Sequence, residues 1–248
     1  MLKAIIRAGL RRARPEPFLR TPIARKRQKL STNYIVEFIG VSGAGKTYML
    51  NALPVSEKRK WWLREDLDIT PSFDRNEKLC KFLMFEKIKR LSDELSFAQI
   101  ERLISWYFRV LLIDNACNSV LPKGSLLDEG LFHNFGDVLE PILKDALHPH
   151  HKQVTSNRAF VYVYADVEFI FKRIRKRQKR KPRQNPYHWG LTDQELRRTI
   201  DNSISACDDL VQLLEMAGRP ILRVNSNEMS SAQMSDAFHK FLNELQRN

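Results

Sequence analysis

Cysteine is scarce in this chain: Cys80, Cys117 and Cys207 are the only three in 248 residues, and they lie far apart. None stands at metal-ligand spacing from another. Each is expected as a small, buried or partly buried apolar residue, which suits a reducing cytoplasm. Long apolar runs are missing too. No stretch approaches the roughly 18 to 20 apolar residues a membrane-spanning helix needs. The first residues lack the long apolar centre and small-residue cleavage pattern of a secretory signal. The guanine-reading pattern N-K-x-D is absent, which leaves a GTPase unsupported, and no ATPase sensor or finger motif stands out.

What remains is enough for a sizeable core, since 43% of residues are hydrophobic. The length fits one large α/β domain with appendages, or at most two small domains. The net charge of +13 is unevenly placed. Residues 1–30 hold ten Lys/Arg and one acid, and residues 171–183 hold nine Lys/Arg and none. These two segments carry +18 together, so the rest of the chain is net −5. A generally nucleic-acid-coated surface does not fit a mildly acidic body with two local basic devices.

The most specific motif is Y-I-V-E-F-I-G-V-S-G-A-G-K-T-Y-M-L at 34–50. Gly40, Gly45, Lys46 and Thr47 complete G-x-x-x-x-G-K-[ST], after an apolar strand-like run and before a helix-compatible one. The loop Gly40, Ser42, Gly43, Ala44, Gly45 can wrap a phosphate chain, and Gly43 and Gly45 admit backbone conformations a side chain would hinder. The following helix presents free N–H groups and its positive end to an anion. Lys46 would reach the β- and γ-phosphates, Thr47 would place a hydroxyl on Mg²⁺, and Tyr48 completes the contact set. This predicts nucleotide binding. By itself it does not separate kinases from motors, GTPases or sulfotransferase-like proteins.

The remaining pattern alternates strands and helices. Leu2, Ile5, Ile6 and Leu10 place one apolar face on a short basic helix, followed by a proline-bearing arm, so residues 1–32 form an N-terminal arm and 33–248 the main domain. The arm fits either a solubilising tail or a contact with an anionic membrane or a partner. Strands are expected at 34–39, at the apolar run before Asp128, at 160–166 and at 220–224. Helices are expected at 45–53, 76–92, 97–119, 137–147, 167–177, from Thr192 to about Ala217, and at 230–246. Residues 54–75, with Trp61 and Trp62, are read as holding a second strand and part of an acceptor site. Thr192 and Glu195 match a capping box. His148, His150 and His151 fall in a loop, and a solvated loop is preferred over a metal site. Alternation of this kind implies a parallel sheet covered on both faces, with ligands at the carboxyl ends of the strands. The P-loop, Asp128-Glu129, Asp166 and Asn225 would then share one edge.

Phosphoryl transfer needs positioned positive charge, Mg²⁺ and a group that orients or deprotonates the acceptor. Asp128 and Glu129 are the paired acids at a strand end. One is expected to hold Mg²⁺ (Asp128, with Thr47) and the other to accept the acceptor's proton. Arg173 and Arg177 are i and i+4 on a helix, so they share a face and can neutralise transition-state charge beneath a basic lid at about 176–191. The competing reading of this run is an RNA- or membrane-binding helix.

In its order of P-loop, helical acceptor region, strand ending in D-E, K-R-I-R-K-R helix, basic lid and final strand, the chain resembles the nucleoside and nucleotide kinases over residues 34–246. The thymidylate kinase-like group is the nearest pattern. That resemblance implies a P-loop NTPase fold of three α/β/α layers with a helical lid. It assigns the strand-end acid to Asp128 or Glu129, lid arginines to Arg173 and Arg177, and the adenine-contacting loop to Asn225-Ser226-Asn227. The chain departs from the group where D-R-[YWH] would stand, since it reads Asp128-Glu129-Gly130. It departs again where an arginine is expected in the preceding helix: Asp114-Asn115 stand near that place, with Arg109 a turn earlier. The donor side is matched and the acceptor side is changed.

The expectation is a cytoplasmic ATP- and Mg²⁺-dependent kinase acting on a small-molecule hydroxyl or phosphate acceptor (nucleotide, sugar or related metabolite). Association with the inner face of a membrane through residues 1–30 is compatible with it, and nucleic acid is a disfavoured partner. The alternatives are a P-loop ATPase or switch that binds membrane or RNA through its basic segments, and a sulfotransferase-like enzyme.

Overall fold

The computed structural model describes residues 34–63, 66, 76–90, 95–118, 123–180, 188 and 190–247. The expected N-terminal arm, and lid residues 181–187 and 189, lie outside the described residues.

Five strands form one fully parallel sheet. They are β1 (Ile35–Ile39), β2 (Trp62–Leu63), β3 (Ser125–Leu127), β4 (Arg158–Tyr164) and β5 (Ile221–Asn225), in the order β2-β3-β1-β4-β5. Nine described helices connect and cover them. In chain order these are α1 (Lys46–Ala52), α2 (Val55–Lys58), α3 (Glu77–Lys89), α4 (Phe97–Cys117), α5 (Leu131–Lys144), α6 (His151–Thr155), α7 (Val167–Arg180), α8 (Asp193–Met216) and α9 (Ser231–Arg247).

Every residue of β1 is buried, as expected for a strand covered on both faces. Its side chains alternate between two cores. Val36 and Phe38 pack with α1, α7 and α9, and Phe38 meets Phe238 edge-on at 5.1 Å. Ile39 belongs to the opposite core, with α3, α4, α5 and the second half of α8. β4 divides in the same way: Ala159, Val161 and Val163 face the first core, and Phe160 and Tyr162 the second. The architecture is therefore the expected three-layer α/β/α sandwich. The chain leaving β1 crosses toward β3 and β2, and the chain leaving β4 toward β5. The β1–β4 boundary is thus the crevice where a parallel sheet offers a ligand site.

Charge is also buried in the second layer. Glu37 of β1 and Arg158 of β4 are fully buried, and Asp114 of α4 is 5% exposed. Arg158 donates through Nη2 to Asp114 Oδ1, and its Nη1 lies 3.6 Å from Glu37 Oε2. Glu37 Oε1 accepts the backbone N–H of His133 at 2.8 Å. Helix α5 starts at Gly130, which has no side chain to cap it, so its first turn is capped in trans from β1. A Cβ on Gly130 would come within 2.5 Å of Glu37 Cδ. Glycine is required there by the carboxyl group beneath it. The helix consequently begins at Leu131, six residues before the expected 137, because its cap does not come from the local sequence. β4 likewise begins at Arg158, two residues before the expected 160, because a buried cation continues the strand.

Burial pushes the Glu37 carboxyl up to about 8; Arg158 and the His133 N–H oppose the shift, and Asp114 adds to it. Two acids share one guanidinium, and a proton on Glu37 balances the cluster.

One further expectation changed and one was met. Helix α6 begins at His151, and His148 Nδ1 accepts the His150 N–H at 3.2 Å, so these histidines build a turn. No group of three or more metal-ligating side chains occurs among the described residues. The capping box at Thr192 is formed in both directions.

Arg158→Leu should cost about 3–5 kcal/mol, because it leaves a buried carboxylate without its cation. Glu37→Gln keeps an oxygen for the His133 N–H and should fold. The Glu37 value is higher in the folded chain than its ordinary 4.5, so its stabilisation is full below that pH and is lost as pH rises through about 8. Urea unfolding across this range should show that decline in the native chain and a flatter profile in Glu37→Gln. Parallel profiles would contradict the assignment.

Candidate functional site

The loop after β1 has the backbone its glycines predict. Gly43 and Gly45 sit at φ +97° and +115°. Gly40, at +141°, lies so close to β4 that a Cβ would fall 2.1 Å from the Val163 carbonyl oxygen. The helix that follows offers an anion only the partial charge of its first turn, and full charges are added by side chains.

Lys46 is 6% exposed, and its Nζ donates to the carbonyls of Gly40 at 2.6 Å and Val41 at 3.3 Å. Burial lowers its ammonium to about 8. Glu129 and, more weakly, Asp128 draw it back up, and Arg177 pushes it down. The two acids at the end of β3 and the arginine of α7 are thus close enough to act on Lys46. Thr47 and Tyr48 follow, both exposed.

Arg173 and Arg177 turn toward the loop together. Arg173 Nη1 donates to the carbonyls of Gly43 at 3.3 Å and Ala44 at 3.2 Å, and its guanidinium lies 4.2 Å from the Phe169 ring centre. Arg177 Nη2 donates to Ser42 Oγ at 2.8 Å. Neither has a carboxylate partner among the described residues, so both cations rest on neutral acceptors. Arg175, between them in sequence, points elsewhere. It bonds Asp193 Oδ1 and the Leu191 carbonyl, both at 2.9 Å, which ties the lid's return to α7. The i, i+4 spacing separates the two roles.

The loop after β5 packs on the same element. Ser226 Oγ donates to the Ala44 carbonyl at 2.5 Å, and Asn227 Nδ2 to Asp166 Oδ2 at 2.8 Å. Asn225 Oδ1 accepts the Asn227 N–H at 3.0 Å and so shapes its own turn. Of the Asn225-Ser226-Asn227 loop expected here, Ser226 is the side chain that touches the P-loop.

Beside the loop is a cavity of about 500 Å³ between α5 and α8, reached also by Lys87 of α3. Gly40, Val41 and Ser42 form its phosphate-loop wall, and His133, His188 and Cys207 contribute from elsewhere. His133 is held well below its ordinary value by burial, with Lys46 and Lys87 adding to the effect, so its ring is neutral. Burial pushes the Cys207 thiol up to about 11, so it stays protonated.

On the acceptor side, the second strand expected within 54–75 is β2, Trp62–Leu63. Trp61 is buried in the first core and neither it nor Trp62 lines the cavity. Asp114 is committed to Arg158, and Arg109 is exposed. The histidines, Lys87 and Cys207 were not anticipated. A signal was present for His133 alone, which follows the D-E-G turn on a helix that begins earlier than its local sequence indicates.

The fold and this loop define a P-loop α/β/α protein. No family model matches the chain, and no curated protein matches it. Among solved structures it is similar to a deoxyadenosine kinase from M. mycoides with bound dCTP. Identity is 16% and the TM-score 0.44, and the match covers 84% of this chain and 98% of that one. Nothing about substrate follows from a likeness of that size.

Tripolyphosphate should bind the native chain and raise its Tm. A charge-assisted hydrogen bond is worth about 1.5–3 kcal/mol, so Arg173→Ala and Arg177→Ala should each weaken binding about 10- to 100-fold. Calorimetric titration checks this, and unchanged affinity in both variants would remove the arginines from the site.

Proposed function

We propose that this protein is an ATP- and Mg²⁺-dependent kinase that transfers the γ-phosphoryl group to a small molecule. The observation that carries this reading is the convergence of Lys46, Arg173 and Arg177 on one glycine loop, with Asp128 and Glu129 acting on Lys46 and a cavity adjoining the same loop. Mere nucleotide binding does not call for an acidic pair and an adjoining cavity. In-line transfer uses both.

The donor set suits the magnesium complex of a nucleoside triphosphate. Thr47 offers an exposed hydroxyl and Asp128 a carboxylate. Oxygen donors this few match a cation that takes its remaining ligands from phosphates and water. When bound, Mg²⁺ neutralises charge between the β- and γ-phosphates.

The chain's own residues do the rest. Lys46 exchanges its two carbonyl partners for phosphate oxygens. Arg173 and Arg177 trade neutral acceptors for charged ones, a gain that grows as negative charge develops. Ser42, already held by Arg177, faces the same phosphates. Of Asp128 and Glu129, one orients the metal and the other takes the acceptor's proton. Asn225, Ser226 and Asn227 border the loop where the base would rest.

The inward turn of Arg173 and Arg177 favours this reading over a helix that lays its charge on RNA or a membrane. Residues 1–30 are proposed as a localising arm that contacts an anionic membrane or a partner. Among the described residues no helix is long and apolar enough to cross a membrane. Deleting residues 1–30 should leave turnover with soluble substrates intact and reduce sedimentation with anionic vesicles. Lost turnover would give the arm a part in the site.

Lys46→Ala should abolish transfer, and Asp128→Asn and Glu129→Gln should reduce it unequally; normal turnover in both acid variants excludes the proposed chemistry. The Lys46 value of about 8 adds a pH signature. ATP needs the ammonium, so its affinity should be constant below pH 8 and fall about tenfold per pH unit above it, with proton uptake on binding. Titrations in buffers of different ionisation enthalpy measure this. Affinity that does not change between pH 7 and 9 contradicts the role given to Lys46.

A further inference from the structure

The cavity between α5 and α8 has a charge balance that bears on what it accepts. Its described lining carries one basic side chain, Lys87, and three acids, Asp137, Glu140 and Asp209. Lys87 and Asp137 neutralise each other at 2.6 Å, and Glu140 is paired with Lys144 at 2.6 Å, which leaves Asp209 as the lining acid without an ion pair among the described residues. The two histidines add no positive charge, since burial holds His133 and His188 below their ordinary values and nearby cations lower them further. Lys46, Arg173 and Arg177 stand on the loop side, where the donor's phosphates have first claim on them. The described wall therefore has no uncommitted cation for a second anionic group, and desolvating a phosphate without a cation is costly.

The lining is rich in hydrogen-bonding groups of the neutral kind. Thr199 and Ser203 lie a turn apart on α8, and Asn134 adds an amide from α5. Asn134 also accepts the Trp106 indole N–H at 2.8 Å, which fixes its orientation. His188 is 7% exposed, and its buried Nδ1 has no hydrogen-bond partner among the described residues. Of the described residues that line the cavity, His188 is the one with a buried side-chain polar atom left unpaired, and a ligand hydroxyl in the cavity would satisfy it.

Resting on the kinase reading above, we infer that the cavity binds the phosphoryl acceptor, and that this acceptor is a hydroxyl-rich compound with no anionic group: an uncharged polyol or one bearing an amine. The volume of about 500 Å³ suits a compound of one or two rings. In the transfer, the acceptor hydroxyl oxygen forms a bond to the γ-phosphorus of ATP. The bond from that phosphorus to the β–γ bridging oxygen breaks, ADP leaves with its electron pair, and the hydroxyl proton passes to the Asp128-Glu129 pair. His188 and the α8 hydroxyls hold the acceptor's other hydroxyls, and Asp209 favours an amine over a phosphate.

The full-length protein is tested with ATP and Mg²⁺ against matched pairs: monosaccharides, amino sugars and nucleosides, and the phosphomonoester of each. Nucleotide binding is followed separately by calorimetry. The expected result is acceptor-dependent ADP release, with one phosphoryl group added by mass spectrometry, from unphosphorylated members only. His188→Ala should raise the acceptor KM about tenfold, the worth of one hydrogen bond, with ATP affinity unchanged. Asp209→Asn should raise KM for an amine-bearing acceptor more than for its neutral counterpart. Faster transfer to phosphomonoesters overturns this inference and leaves the kinase reading standing. An unchanged KM in His188→Ala removes the cavity from acceptor binding. ATP binding with no transfer to any member contradicts both, and loss of ATP binding contradicts the kinase reading at its first step.

Discussion

The rest of the molecule depends on the buried carboxyl group of Glu37. It sits on the strand that leads into the P-loop, lies against Arg158 of the neighbouring strand, and caps the first turn of α5. Arg158 in turn holds Asp114 of α4. One ionic cluster thus fixes the relation between the phosphate loop, the turn that carries Asp128 and Glu129, and the helix that walls the cavity. A buried ion pair is weak evidence for stability, because desolvation offsets most of the attraction. Its value here is geometric. An apolar replacement could fill the same volume, but it could not supply an acceptor for the His133 N–H, and α5 would lose the partner that sets its start.

The distribution of charge on the loop follows from another constraint. Helix α1 offers an anion only the partial charge of its first turn, and full charges are added by side chains. Lys46 comes from the helix itself, and Arg173 and Arg177 come from α7 across the β1–β4 boundary. All three donate to carbonyl or hydroxyl oxygens. Those are modest partners for cations, and in the proposed reaction they are exchanged for phosphate oxygens. The cavity next to them is different in character: among its described lining residues acids outnumber bases, and the lysine there, Lys87, is paired. The donor and acceptor sides of the proposed site are separated by sign of charge as well as by position.

Much of this was legible in the chain because it is encoded locally. The P-loop glycines, the Thr192–Glu195 capping box and the i, i+4 pair Arg173 and Arg177 each rest on residues within a few positions of one another. What could not be read depends on partners far away in sequence. The start of α5 is set by Glu37, nearly a hundred residues earlier, so the local pattern placed it six residues late. The local pattern starts β4 at 160, two residues late, because Arg158 is accommodated in the strand by its distant partners Glu37 and Asp114. The cavity arises where α5 meets α8, and no spacing within either helix announces it. Trp61 packs in the first core, Trp62 against a smaller cluster with Ile35 and Leu127, and Asp114 holds Arg158.

The central claim is that the γ-phosphoryl group moves from ATP to a small molecule and not to water. The direct measurement uses ATP labelled with heavy oxygen in its γ-phosphoryl group, incubated with the full-length protein, Mg²⁺ and the acceptor panel, with the products resolved by mass spectrometry. The account predicts that the labelled phosphoryl group appears on an acceptor hydroxyl, in step with ADP release, and that Lys46→Ala abolishes it. Label recovered only as inorganic phosphate, at a rate that no acceptor changes, would contradict it and identify a hydrolase or switch.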